Sequence, residues 1–299
     1  MKIERILSWL DENKYDYSFT GNKDCEIEGF SSLINYKPNT LTWVKKQENY
    51  NNANDLDITC AILQKGVIVD VQNQIISPRS KELFFSVLQQ FWGATYEEGF
   101  IGQGTVITMD AKIHPTAYIG HNCSIIGPVN IGANTVVENN VVIQGKVTIG
   151  KDCHIQSQVT IGIDGFSYNK DPQTGRKKMV THFGGVQIGD NVFIGSHVNI
   201  ARGTIDDTII HNGVKIAPST HIGHNNNIGE NATIICSNLY GSVRIGNDSY
   251  ITASTIQNQC VIGSHTVIGM GSLVTRDIPD NVIAFGIPAK VQKENNSEY

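Results

Sequence analysis

The sequence predicts a parallel β-helix behind a small α/β domain, and three observations predict it. An aliphatic residue returns at every sixth position from Ile113 to Ile161, and the beat resumes from Ile188 to Val274 with three shifts of phase. Glycine follows many of these residues, as at Gly120, Gly132, Gly150, Gly195, Gly223 and Gly229. Residues 1–100 carry no such period.

The first domain is read element by element. "IERILSWLDEN" (3–13) places Ile3, Ile6, Leu7 and Leu10 on one helical face. "CAILQKGVIV" (60–69) reads as a buried strand, and "SKELFFSVLQQFW" (80–92) as a second helix with Ser80 at its N-cap. Strands alternating with helices argue a small α/β domain over 1–98, ending within "GATYEEGFIGQG" (93–104).

A period of six matches neither a 3.6-residue helix nor simple alternation. It matches a short strand and a tight turn repeated, with one aliphatic per unit pointing inward and the units stacked in coils. Glycine after the aliphatic lets each turn be sharp. The β-helix is read over 99–291, with an inserted loop at 163–187 where the beat stops and a frayed polar tail at 292–299. At about eighteen residues per three-sided coil, this gives roughly nine coils.

Composition bounds the partners. A formal charge of −5 and a pI near 6.0 give no pull toward nucleic acid or anionic membrane. No apolar run reaches the ~18 residues of a spanning helix, and the first residues lack the layout of a secretory signal. The six cysteines are scattered without a CxxC pair, so neither a disulfide framework nor a zinc cluster is implied. A cytoplasmic protein with reduced thiols is expected.

Three stretches carry a family resemblance: "IGIDGFSYN" (161–169), "GGVQIGDNVFIGSHVNIARGTIDDTIIHNGVKI" (184–216) and "HIGHNNNIGENATI" (221–234). They resemble the hexapeptide-repeat acyltransferases, and most closely the branch that N-acylates UDP-3-O-acylglucosamine in lipid A synthesis. The resemblance implies a left-handed parallel β-helix, a homotrimer with each site walled by two subunits, and an N-terminal domain that holds a nucleotide. Within "GFSSLINYKPNTLTWVKKQENY" (29–50) it implies Trp43 stacked on the base and Tyr50 beside it, although Lys45-Lys46 stands where the family has an asparagine. Asn258 stands where the lipid A enzyme has a histidine.

The segment "VTRDIPDNVIAFGIPAKVQK" (274–293) is instead similar to the close of CoA-dependent sugar acetyltransferases. It implies acyl-CoA as co-substrate, no permanently bound cofactor, and a pocket made by Gly269, Gly271, Arg276, Ala284, Pro288 and Lys290. The expected reaction is acyl transfer from acyl-CoA to the amine of a dTDP- or UDP-linked amino sugar. The alternative is the lipid A reaction itself, with a 3-hydroxyacyl carrier protein as donor, which the missing helical extension opposes.

Amide formation from a thioester needs a neutral amine, a nearby carbonyl and a donor for the oxyanion. His224, in the polar run His224-Asn225-Asn226-Asn227 between Ile222 and Ile228, is the candidate base. A solvated turn histidine is the bland reading. Asp206 and Asp207 are candidates to bond His224 or the amine, against an ordinary turn role. His221 reads as a surface residue of the stack, and Glu230 as solvated. The insertion offers Asp164, Phe166 and Tyr168 as sugar contacts, while "GRKK" (175–178) reads as a solvated run. A metal reading on His182, His211 and His221 follows no ligand spacing, so no metal is expected. A site-free scaffold is the remaining reading, and the interrupted beat opposes it.

Overall fold

The structure, a computed structural model, describes residues 1–51 and 56–296. It divides into two compact units, Met1–Thr95 and the chain from Tyr96 onward.

The first unit is a five-stranded sheet flanked by helices. Its elements are α1 (Ile3–Glu12), β1 (Ser18–Thr20), β2 (Gly29–Phe30), β3 (Thr40–Val44), α2 (Gln47–Asn51), β4 (Cys60–Gln64), β5 (Asn73–Ser77) and α3 (Ser80–Trp92). The sheet order is β1-β5-β4-β3-β2, parallel except where β1 meets β5. Ile3, Ile6 and Leu10 of α1 are fully buried, as their spacing predicts. Two expectations need correction. The strand from Cys60 stops at Gln64, because Gly66 turns the chain at φ +96°. Ser80 is the first residue of α3 rather than its cap. Arg79 holds the cap position without a side-chain bond, and Ser80 Oγ instead donates to Gln64 Oε1 and accepts from Trp43 Nε1.

The second unit is the β-helix. Among the described residues three sheets, parallel except for the last strand of the second, hold eight, ten and nine strands, here called the first, second and third faces. Successive strands go to each face in turn. Ile125 pairs with Ile143, Ile131 with Ile149 and Val137 with Ile155, so one coil is eighteen residues there. Every beat residue from Ile119 to Val274 is buried. The sequence reading counted one inward residue per unit; the structure has two. Two positions before each beat residue lies a second inward file, including Ala117, Cys123, Thr135, Val141, Cys153 and Val159. The dispersed cysteines Cys123, Cys153 and Cys260 are therefore small core residues. At the corners the backbone turns left-handed, often on asparagine, as at Asn122 (φ 55°), Asn140 (φ 58°) and Asn225 (φ 58°). Asparagine tolerates that conformation better than most residues.

The insertion folds on itself. Tyr168–Lys170 pairs antiparallel with Lys177–Met179, and Asp171 Oδ1 accepts from the N–H groups of Gln173 and Thr174 to close the turn. The chain beyond Val282 also differs from expectation. Val282–Gly286 and Ala289–Glu294 form an antiparallel hairpin on the second face. Residues 292–294 thus belong to a strand, not to a frayed tail. Residues 297–299 of that expected tail lie outside the described residues.

Candidate active site

The site lies at the corner after the third face. His221–Ile222 is a strand of that face, and Gly223-His224-Asn225-Asn226 turns the chain toward the first face. Register stacks this turn on later ones. Ile222 pairs with Leu239, Leu239 with Ile256 and Ile256 with Val274. The same steps place Gly241, Asn258 and Arg276 in one file above His224. At about 4.8 Å per strand, Arg276 stands roughly 14 Å along the corner from His224.

The tautomer of His224 follows from its partners. Asn225 Oδ1 accepts from Thr204 N (3.0 Å) and Thr204 Oγ1 (2.9 Å), while Asn225 Nδ2 donates to the carbonyl of Asp206 (2.8 Å). A backbone N–H can only donate and a carbonyl can only accept, so the amide has one orientation. His224 Nδ1 meets that same Oδ1 at 3.0 Å and must carry the proton. In the neutral ring Nε2 is then a bare lone pair. Nε2 has no partner among the described residues.

Two glycines make room for the ring. A Cβ on Gly241 would lie 2.5 Å from His224 Nε2, and one on Gly165 would lie 2.8 Å from His224 Cδ2. His182 packs edge-on against His224, with centroids 5.3 Å apart at 76°. Its Nδ1 donates to Val180 O, and its buried Nε2 has no partner.

In front of His224 opens a cavity of about 620 Å³, bounded by Asp164, Phe166, Asn199, His221, Tyr240 and Asn258 among others. Burial lowers the His221 imidazole below the ordinary histidine range. The Asp164 carboxylate is paired with the Arg202 guanidinium, Nε to Oδ1 at 2.5 Å. Phe166 is 89% exposed, and its ring lies 5.0 Å from that of Tyr168.

The structure therefore brings together His224, Asp164 and Phe166, with Tyr168 on the hairpin beside Phe166. Other expected residues lie elsewhere or are engaged otherwise. Asp207 is not on this cavity: its carboxylate accepts from Gly185 N (2.7 Å), Gln187 Nε2 (2.6 Å) and Lys146 Nζ (3.1 Å). Burial would raise its pKa, but these donors hold it below the ordinary carboxylate range. Asp206 reaches the site through its carbonyl, on Asn225. Trp43 stacks on Phe84 (6.2 Å, 19°) and bonds Ser80. Tyr50 Oη both donates to and accepts from the backbone of Asp70.

At the far end, Ala284 is fully buried in the core and offers no surface to a ligand, which corrects its assignment to a pocket wall. Gly269 makes room for Phe285, whose Cβ would lie 2.9 Å from an added Cβ. Gly271 takes φ +74° beside open space. Arg276, Pro288 and Lys290 are exposed, with Lys290 opposite Phe285 in the hairpin.

Sequence reasoning missed Arg202, Asn225, Gly165 and Gly241. The beat itself contained the signal for Gly241, because the seventeen-residue step from Ile222 to Leu239 carries His224 to Gly241. Arg202 carried no comparable signal, since its pairing depends on the path of the insertion.

Comparison with known proteins places this chain in a family. Residues 128–162 match the bacterial transferase hexapeptide (six repeats). UDP-3-O-acylglucosamine N-acyltransferase of Coxiella burnetii is 32% identical over 242 residues, 74% of this chain and 70% of that protein. The Bordetella parapertussis enzyme of the same name is 36% identical over 122 residues, 40% of this chain. There the chain spans only about a third of the relative's length (34%). Among solved structures, LpxA from Acinetobacter baumannii aligns with a TM-score of 0.57 at 28% identity, over 64% of this chain and 72% of that one. UDP-N-acetylglucosamine acyltransferase of Francisella novicida aligns at 0.59 and 28%, over 65% and 71%. The fold is the left-handed parallel β-helix, and the chain belongs to the family of hexapeptide-repeat acyltransferases that includes UDP-3-O-acylglucosamine N-acyltransferase.

Proposed function

We propose that the protein transfers an acyl group from a thioester to the amine of a UDP-linked glucosamine, with His224 as general base. The observation that carries this reading is the fixed tautomer of His224, which turns a bare Nε2 toward a cavity of ligand size. The amine nitrogen attacks the thioester carbonyl carbon and a C–N bond forms. His224 Nε2 takes the amine proton. The carbonyl oxygen becomes an oxyanion, which the Gly241 N–H receives one coil above His224. That N–H has no acceptor among the described residues. When the oxyanion collapses, the C–S bond breaks, and the thiolate regains a proton from the His224 imidazolium.

The names of the relatives support UDP-3-O-acylglucosamine as acceptor over the dTDP-linked sugars that the end of the sequence suggested. Acyl-CoA and acyl carrier protein present the same pantetheine thioester, and Arg276 in the His224 file is a candidate contact for its phosphate. The nucleotide is assigned to the first unit, and the assembly to a homotrimer, on the family resemblance.

Mass-spectrometric product formation tests this. Acceptors are UDP-3-O-acylglucosamine and a set of dTDP- and UDP-linked 3- and 4-amino sugars; donors are acetyl-CoA, 3-hydroxybutyryl-CoA and a 3-hydroxyacyl carrier protein. The expected product is the amide of UDP-3-O-acylglucosamine. Turnover confined to a dTDP-linked sugar would overturn the acceptor, and no amide from any pair would overturn the reaction.

A further inference from the structure

Among the described residues three buried side-chain polar atoms lack a hydrogen-bond partner: Thr42 Oγ1, His182 Nε2 and Asn226 Oδ1. Two of them flank His224. Asn226 is fully buried, and its Nδ2 donates to the carbonyls of Gly223 (2.7 Å) and Tyr240 (2.8 Å). Both partners can only accept, so the amide has one orientation and Oδ1 is left facing an interior that does not bond it.

The same inward position on other coils does a similar job without an orphan. Thr135 Oγ1 donates to Gly150 O (2.8 Å), Ser249 Oγ to Gly263 O (2.7 Å) and Thr266 Oγ1 to Pro279 O (2.8 Å), each bond reaching the coil above. Among the described residues only the His224 turn places an asparagine there and leaves its oxygen unsatisfied. An unexplained orphan of this kind points to a use other than stability.

The use follows from peptide geometry. The Tyr240 carbonyl and the Gly241 N–H belong to one planar trans peptide and point in opposite directions. Asn226 pins the carbonyl inward, which turns the N–H outward to the cavity in front of His224. A hydrogen bond accepted by the carbonyl also makes the N–H of that peptide a stronger donor. We infer that Asn226 is a positioning residue that orients and polarises the Tyr240–Gly241 peptide for the oxyanion. This rests on the assignment of Gly241 as oxyanion donor made above.

The test is the pair Asn226→Val and Asn226→Thr, equal in shape and different in a hydroxyl that can reach Tyr240 O. The readouts are kcat and KM with the acceptor and donor that the wild type turns over, and the amide resonance of Gly241 in 15N-glycine-labelled protein. The valine variant should lose about tenfold or more in kcat, and no more than the ~10²–10³ of losing an oxyanion donor outright. Its KM should stay near the wild-type value, and the Gly241 amide proton should move upfield. The threonine variant should recover most of both. An unmoved Gly241 resonance in the valine variant overturns the inference, as does equal loss of kcat in both variants. A resonance that moves and returns while kcat stays flat leaves the hold of Asn226 standing and overturns the role given to Gly241.

Discussion

A single added methyl group tests the site at the scale of residues. The Cβ of Gly241→Ala would meet His224 Nε2 at 2.5 Å, at the far end of a movable side chain. The ring must therefore swing, while the backbone can stay. Gly241→Ala should melt close to the wild type and lose at least tenfold in kcat, measured by thermal unfolding beside steady-state kinetics. A second prediction concerns Asn225, whose Oδ1 fixes the His224 tautomer. Asn225→Asp keeps an acceptor toward Nδ1 but loses the Nδ2 bond to Asp206 O, so it should retain more kcat than Asn225→Ala. The candidacy of His224 could be read from its place in the beat together with the family resemblance. Its partner could not, because the orientation of Asn225 is decided by Thr204 and Asp206, which lie within the shift of phase at 201–207, where the beat gives no register.

At the scale of elements, the coils were readable because each buries an aliphatic on a fixed period, and the period survives any change at the outward positions. The insertion was readable as an interruption but not as a hairpin. Tyr168–Lys170 and Lys177–Met179 are exposed throughout, so no alternation marks them. Outward networks were invisible for the same reason. Glu138 is an example: it accepts from His154 Nε2 (2.7 Å), from Ser157 N and Oγ, and from Tyr96 Oη (3.2 Å). Burial alone would raise its carboxyl, but the bonds from His154 and Ser157 hold it below its ordinary value of about 4.5. A carboxyl lowered in the folded state stabilises above its unfolded pKa and loses that contribution as pH falls through the lowered value. Glu138→Gln should therefore lower the melting temperature at pH 7, and the difference from wild type should shrink below about pH 4. A difference that grows on acidification would contradict the network.

The whole molecule is a stack whose stability comes from repetition. Ile222 is fully buried between Ile200 and Leu239, beneath the His224 turn. Ile222→Ala should cost about 2–5 kcal/mol in urea unfolding, the range for a large-to-small change in a packed core. The β-helix followed from the sequence alone, because every coil repeats the same evidence. Its hand came from family likeness, and the fold of the last strands escaped prediction, since Val282–Gly286 and Ala289–Glu294 lie past the end of the beat at Val274. The stack exists, on this account, to hold one base and one backbone donor a coil apart. The most direct measurement is kcat of His224→Ala in the mass-spectrometric assay, with melting temperature recorded on the same sample. A loss of about 10²–10⁴ without loss of fold is the result expected for a general base. A variant that keeps its kcat within a few fold of wild type would contradict the central claim.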